Sequence, residues 1–141
     1  MSSSGVKFHH IHLISEDPHA TARFYENILG GAITGEADVM GAPQVTVDLG
    51  GMLLLIRGSR PGEAPTGNSQ PMQQFEGFVS HNGWGTDHFG YAYEGDLLAF
   101  CEEIRAKGAT FAAEPWEFVP GHPICFLQAP DNVTIELMQV Q

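Results

Sequence analysis

The chain has 141 residues, with 17 acidic and 6 basic side chains and a formal net charge of −11. Its length suits one domain with a full core, and its acidity argues against nucleic acid and anionic membrane as partners. The only cations are Lys7, Arg23, Arg57, Arg60, Arg105 and Lys107, so a highly anionic substrate is disfavoured too.

Residues 8–14 read as a first strand that carries three histidines in four positions, His9, His10 and His12. Strand side chains alternate faces, so Phe8, His10, His12 and Ile14 share one face while His9, Ile11 and Leu13 share the other. Two imidazoles on one face of a buried strand require partners, and His9 is expected to pack against the helix layer. Asp17 then caps a helix with Pro18 in its first position. Ala22, Phe24, Tyr25, Ile28 and Leu29 give its apolar stripe, and Gly30-Gly31 ends it. A weak strand over 32–36, a turn region over 37–43, a strand over 44–49, a Gly50-Gly51 turn and a strand over 52–57 complete a βαβββ unit.

Residues 58–85 are rich in Gly, Pro, Ser, Gln and Asn and read as a long connection with a short helix around 70–78. Its Met72, Phe75, Phe78 and Trp84 suggest that it folds over something. The second unit has a strand over 87–93 and a helix over 94–107 with Leu97, Leu98, Phe100, Cys101 and Ile104 inward. A strand over 110–118 interrupted by Pro115, a loop over 120–123 and strands over 124–128 and 133–140 follow, the last two joined by a turn at 129–132. This is again βαβββ. The expected organisation is a single domain, 1–141, of two modules (about 6–58 and 86–141) joined by the loop 59–85.

The units overlay as a repeat. His10 precedes Gly30 by 20 residues and His88 precedes Gly108 by 20. The end of the first unit, Gly50 to Leu55, overlays Asp131 to Glu136, so Leu55 stands opposite Glu136. Glu136 lies between apolar neighbours in Thr-Ile-Glu-Leu-Met, where a carboxylate must be paired, protonated or on a metal. Two neutral imidazoles, His10 and His88, with the Glu136 carboxylate on converging strands make a facial set for a divalent metal with open positions for water and substrate.

The paired βαβββ plan resembles the vicinal oxygen chelate superfamily, which includes glyoxalase I, methylmalonyl-CoA epimerase, extradiol dioxygenases, and fosfomycin and bleomycin resistance proteins. The resemblance is carried by His10-Ile-His-Leu with Phe24-Tyr25 and Leu29-Gly30, by Gly85-Thr-Asp-His88-Phe-Gly-Tyr, and by Pro130-Asp-Asn-Val-Thr-Ile-Glu136-Leu. It implies an α+β fold in which the two units form an incomplete barrel-like sheet around a metal-centred cavity, with His10, His88 and Glu136 as ligands. The fourth-strand position, usually Glu in glyoxalase I, is Leu55 here, or Leu53 on the same face. That leaves a two-histidine, one-carboxylate set like that of extradiol dioxygenases.

His12 shares the face of His10 and is a candidate base or further ligand, and His122, in Pro-Gly-His-Pro, is a candidate acid or base at the cavity. Arg57, on the face of Leu55, is a candidate for holding a substrate carboxylate. Leu55, Trp84 and Trp116 are candidate substrate contacts. His19 and His81 are expected on the solvent side. The resemblance implies a metal-dependent enzyme, using Fe, Mn, Ni, Zn or Co, with glyoxalase I-like lyase or isomerase chemistry. It would act through an enolate-like intermediate on a small, largely neutral, oxygen-chelating substrate. The cation shortage argues against glutathione, coenzyme A and phosphonate handles. The rival readings are an Fe(II) extradiol dioxygenase and a metal-free ligand-binding protein of the bleomycin-resistance type. Single-domain members commonly form homodimers. Met1–Gly5 has no apolar leader, no run approaches the ~18 residues of a membrane span, and Cys101 and Cys125 lack metal-type spacing, so a cytoplasmic protein with reduced thiols is expected.

Overall fold

The computed structural model describes residues 5–66, 73–75, 78–80 and 83–140, with 73–75 and 78–80 described by their backbone. Its elements are β1 (His10–Ile14), α1 (Pro18–Leu29), β2 (Ala32–Val39), β3 (Ala42–Leu49), β4 (Met52–Arg57), β5 (Gln73–Phe75), β6 (Phe78–Ser80), β7 (Phe89–Tyr93), α2 (Leu97–Ala106), β8 (Thr110–Val119), β9 (His122–Ala129) and β10 (Val133–Gln139). The chain divides into two compact units, Met1–Pro65 and Thr66–Gln141. This is an α+β architecture of two repeated units, each with an open four-stranded sheet.

In unit 1 the sheet order is β1-β4-β3-β2, with β1 parallel to β4 and the other pairs antiparallel. The first helix starts because the Asp17 carboxylate accepts from the Ala20 N–H (3.1 Å) and Pro18 needs no partner there. It stops at Gly30, whose φ of 78° is left-handed. Tyr25, Ala22 and Ile28 from the helix bury against Val45, Val47, Leu54 and Ile56, all at most 6% exposed. The hydroxyls of Ser15 and Thr21 satisfy each other at 2.7 Å inside this layer. Ile11 and Leu13 are half-buried on the same side.

The other face of this sheet has no helix on it within the unit. His10 and His12 are exposed there, not buried as the sequence led us to expect, with Phe8 at 73% and Ile14 at 41% exposure. His9 precedes the strand and is exposed as well, so it does not pack against the helix layer. The turn expected over 37–43 is instead strand up to Val39 and again from Ala42. The two-residue link Met40-Gly41 has φ of 54° and 93°, the positive values a tight hairpin needs. Pro43 lies one residue outside the β3–β4 ladder, which begins at Gln44 opposite Arg57, so its missing N–H costs no bond to β4, while its carbonyl accepts from the Gly58 N–H (2.9 Å).

Unit 2 repeats the plan with order β7-β10-β9-β8, β7 parallel to β10. Here α2 runs over Leu97–Ala106 and not 94–107, because Gly95 (φ 136°) breaks the backbone and Asp96 is the cap, accepting from Ala99 N–H at 3.1 Å. Leu97, Cys101 and Ile104 bury against Cys125, Leu127, Ile135 and Leu137, whereas Leu98 is 54% exposed on the outer face of the helix. The loop expected over 120–123 shortens to Pro120-Gly121 (φ 83° at Gly121), which puts His122 at the start of β9, opposite Val119. Pro115 coincides with a register shift in β8 between Ala113 and Trp116.

The helix expected around 70–78 is replaced, where the backbone is described, by β5 paired antiparallel with β6, Phe75 opposite Phe78. The sequence there, aromatic-bearing triplets around Glu76-Gly77, is a hairpin signal that outweighed weak helical spacing. Met72 and His81 lie outside the described residues.

Candidate functional site

The strand registers fix which residues of the repeat correspond. In unit 1, His10 pairs with Leu53 and His12 with Leu55; in unit 2, Phe89 pairs with Ile135 and Gly90 with Glu136. With His10 matched to His88, His12 matches Gly90 and Leu55 matches Glu136, as the sequence overlay has it.

In unit 2 this register has a chemical consequence. His88 Nε2 lies 2.9 Å from Glu136 Oε1, and His88 Nδ1 lies 2.7 Å from Asp87 Oδ2. The side chains of His88 and Glu136 are 27% and 17% exposed, so the pair is largely withdrawn from water but open on one side. Gly90 makes room for it. A β-carbon at Gly90 would lie 3.2 Å from the Glu136 β-carbon and 3.3 Å from its carbonyl oxygen, inside comfortable contact. The Phe126 ring meets the His88 ring edge-on at 5.0 Å and holds its plane.

The same open face carries a cavity of about 450 Å³. Trp116, Phe118, Val119, Ile124, Phe126 and Met138 form its walls, and Glu136 and His122 supply its polar atoms. The antiparallel registers put Trp116 and Met138 on either side of Ile124, and Phe126 beside Glu136, so strand alternation alone builds the wall. Trp116 and Phe126 stack at a 31° tilt, 5.9 Å apart. His122 is fixed by its Nδ1–H, which donates to the Gln139 carbonyl at 3.1 Å and leaves Nε2 as an acceptor.

In unit 1 the matching place is different. Leu55 has no charge to offer His10, and the imidazole of His12 fills the position that Gly90 leaves empty. The His10 and His12 rings are 6.4 Å apart. His10 Nδ1 shares a proton with His9 Nδ1 at 2.8 Å, which leaves its Nε2 outward. Arg57 is taken up locally: its guanidinium donates to Glu63 (3.0 Å) and to the Gly58 carbonyl (3.1 Å). Bonds from Arg60 first, and then from Arg57, hold the Glu63 carboxyl down to about 2. Trp84 stands fully exposed, and His19 faces solvent beside Glu36 at 3.0 Å.

The structure thus brings His88, Glu136, His122 and Trp116 to one face of unit 2, and His10, His12, Leu55 and Arg57 to one face of unit 1. Neither unit by itself gathers three His, Cys, Asp or Glu side chains in a metal-type cluster among the described residues. Asp87, Gly90, Ile124, Phe126 and Met138 were missed as site residues. The Gly90 signal was present in the sequence, since a glycine inside a strand marks a close approach. No helix among the described residues is long and apolar enough to cross a membrane.

Comparison with known proteins agrees with this layout. The family model of the Glyoxalase/Bleomycin resistance protein/Dioxygenase superfamily matches residues 7–137. A glyoxylase/bleomycin resistance protein/dioxygenase domain from a Frankia species superposes with a TM-score of 0.72 at 25% identity, covering 99% of this chain and 94% of that one. A glyoxalase family protein from Bacillus cereus gives 0.76 at 15% identity, with 99% and 97% covered. The fosfomycin resistance protein FosX from Listeria monocytogenes, solved with Mn(II) and sulfate, gives 0.63 at 17% identity, with 100% and 95% covered. The last two similarities speak for the fold alone. The search of curated proteins finds no match.

Proposed function

Starting from the fact that the chain belongs to the Glyoxalase/Bleomycin resistance protein/Dioxygenase superfamily, we propose that it is a metal-dependent enzyme whose divalent ion is held by His10, His88 and Glu136. The observation that carries this reading is the Asp87–His88–Glu136 chain of contacts, 2.7 and 2.9 Å long, on an open sheet face beside a cavity. The donor set fits a cation. Asp87 accepts from His88 Nδ1–H, which aims Nε2 at Glu136; once a cation displaces the proton shared there at 2.9 Å, Nε2 offers its lone pair, the orientation of metal-binding imidazoles with a carboxylate behind them. Glu136 brings a full negative charge to the same point, and two neutral imidazoles with one carboxylate suit Mn, Fe, Co, Ni or Zn. FosX, with Mn(II), is a similar fold that holds such an ion.

A bound divalent ion supplies Lewis acidity, which lowers the cost of negative charge on a substrate oxygen. The residues of this chain do the rest. The apolar wall from Trp116 to Met138 excludes water and orients the substrate body. His122 Nε2 accepts a proton from a substrate carbon or hydroxyl, its ring held by the Gln139 carbonyl. His12, beside Leu55, is the second proton-handling candidate. The reaction class this favours is a glyoxalase-like lyase or isomerase acting on a small, largely neutral molecule with two adjacent oxygens. Leu55 in place of a fourth carboxylate supports one rival, an Fe(II) ring-cleaving dioxygenase, since three donors leave more positions open. We place the protein in the cytoplasm on its two unlinked cysteines, as a homodimer on the exposed Phe8 and Ile14 beside His10.

The test is reconstitution of chelator-stripped protein with each ion in turn, assayed with and without air on vicinal carbonyl, hydroxycarbonyl and catechol compounds. Turnover without oxygen in the presence of Mn, Ni, Co or Zn supports the lyase or isomerase. Oxygen uptake on catechols with Fe(II) only would replace it with the dioxygenase reading. Activity fully retained in His88→Ala would remove both.

A further inference from the structure

From the cavity of unit 2 we infer the class of molecule the protein takes: an uncharged, largely apolar ring compound that carries a hydroxyl, with the hydroxyl donated to His122 Nε2 or to the Glu136 carboxylate. Four observations carry it. The volume, about 450 Å³, is in the range that encloses most of a small organic ligand of roughly two or three rings. Among the described residues, six of the eight that line it are apolar or aromatic, and the rings of Trp116 and Phe126, tilted by 31° and 5.9 Å apart, form an aromatic wall against which a ring can pack. Among the described lining residues His122 and Glu136 offer acceptors, because His122 Nδ1 is already spent on the Gln139 carbonyl and Glu136 is a carboxylate already holding His88. A hydroxyl on the occupant therefore has two groups to which it can donate.

The fourth observation is charge. The second unit, from residue 66 onward, contains only two cations, Arg105 and Lys107. Arg105 is held by Glu114 at 2.6 Å and lies over the Phe111 ring, and Lys107 caps the C-terminus of α2, on the helix side of the sheet. Neither lines the cavity. In the metal-free pocket an anion would meet Glu136 with no Lys or Arg among the described lining residues, in an apolar setting where an unpaired charge is costly. Phosphonates, phosphates and sulfonates are thereby disfavoured in the metal-free pocket, although the similar fold of FosX serves fosfomycin resistance.

The inference rests on the proposed site in that Glu136 belongs to both, so it is tested without metal. Equilibrium dialysis of the full chain in excess chelator would compare naphthol, naphthalene and naphthalenesulfonate. Naphthol is expected to bind saturably and about tenfold more tightly than naphthalene, the effect of one well-placed hydrogen bond of ~1.4 kcal/mol. Naphthalenesulfonate is expected to show no saturable binding. In His122→Phe the naphthol advantage shrinks while naphthalene binding is retained, and Ile124→Lys, with folding checked by circular dichroism, abolishes both. Absence of naphthol binding, or sulfonate binding as tight as naphthol, overturns the inference. Neither result bears on whether His88 and Glu136 hold a metal, and a metal-free outcome would leave the binding measurements standing.

Discussion

The Gly90→Ala variant probes the site through a single methyl group. The added carbon would sit 3.2 Å from the Glu136 β-carbon and 3.3 Å from the Glu136 carbonyl oxygen. Carbon pairs prefer ~3.5–4.0 Å, so something must give by a few tenths of an ångström. The carbonyl is tied into the sheet, and the Glu136 side chain is the softer partner. Its rotation lengthens the 2.9 Å contact to His88 Nε2. Losing that charge-assisted bond in a partly exposed setting costs about 1–2 kcal/mol. Against this, alanine at a position whose φ is not positive gains about 0.4–1 kcal/mol over glycine by restricting the unfolded chain. The net loss of stability is therefore small, about 1 kcal/mol or less, whereas affinity for a divalent ion should fall about 10–100-fold, as when a supporting contact is removed. Urea denaturation gives the first number, and calorimetric titration with Mn(II) or Zn(II) the second. A variant with wild-type metal affinity would refute the link between Gly90, Glu136 and the metal. A loss of several kcal/mol would show that the sheet, and not the carboxylate, absorbs the clash.

The repeat can be tested by making unit 1 resemble unit 2. His12→Gly with Leu55→Glu installs the glycine–carboxylate pair beside His10 and should raise divalent-ion affinity, read by the same titration; no change would break the correspondence. Tyr91 has a buried hydroxyl without a hydrogen-bond partner among the described residues, and burial pushes its phenol up to about 12 from the ordinary 10.0. Tyr91→Phe is therefore expected to be neutral or stabilising by about 1 kcal/mol. Because the native state resists ionisation, the stability Tyr91 contributes is complete below pH 10 and is lost as pH rises through 12, so wild type should weaken across that window more than Tyr91→Phe does, measured by denaturant midpoint. Cys101 and Cys125 lie 3.6 Å apart, and burial raises both thiols above their ordinary range. A thiol reagent should modify neither in the folded protein and both on unfolding; fast modification of the native chain would contradict the packing.

Much of the fold was legible because it is written in local chemistry. Asp17-Pro18 and Gly30 mark the helix ends by capping and by a left-handed φ, and the equal 20-residue distances to Gly30 and Gly108 exposed the repeat. The overlay of Leu55 on Glu136 held to the residue because parallel pairing to β1 and β7 fixes both in register. What failed was tertiary. Alternation places His10 and His12 on one face but does not say whether anything covers it. In β9 the run Ile124 to Leu127 is apolar throughout, so sequence cannot tell that Ile124 and Phe126 face a cavity while Cys125 and Leu127 face α2. Pro43 and Pro123 read as breakers yet sit in strands, each one residue outside the ladder to a neighbouring strand, β4 or β10. The cavity wall from β8 depends on bulges around Pro115 that no periodicity announces.

The proposed site is one divalent ion held by His10, His88 and Glu136. Elemental analysis of protein purified without a metal-affinity column, alongside His10→Ala, His88→Ala and Glu136→Gln, measures it directly. Close to one equivalent of a transition metal per chain is expected in the wild type, restored by soaking after chelation, with a marked loss in each variant. Wild-type protein that neither arrives with metal nor takes it up, or variants that bind as the wild type does, would contradict it.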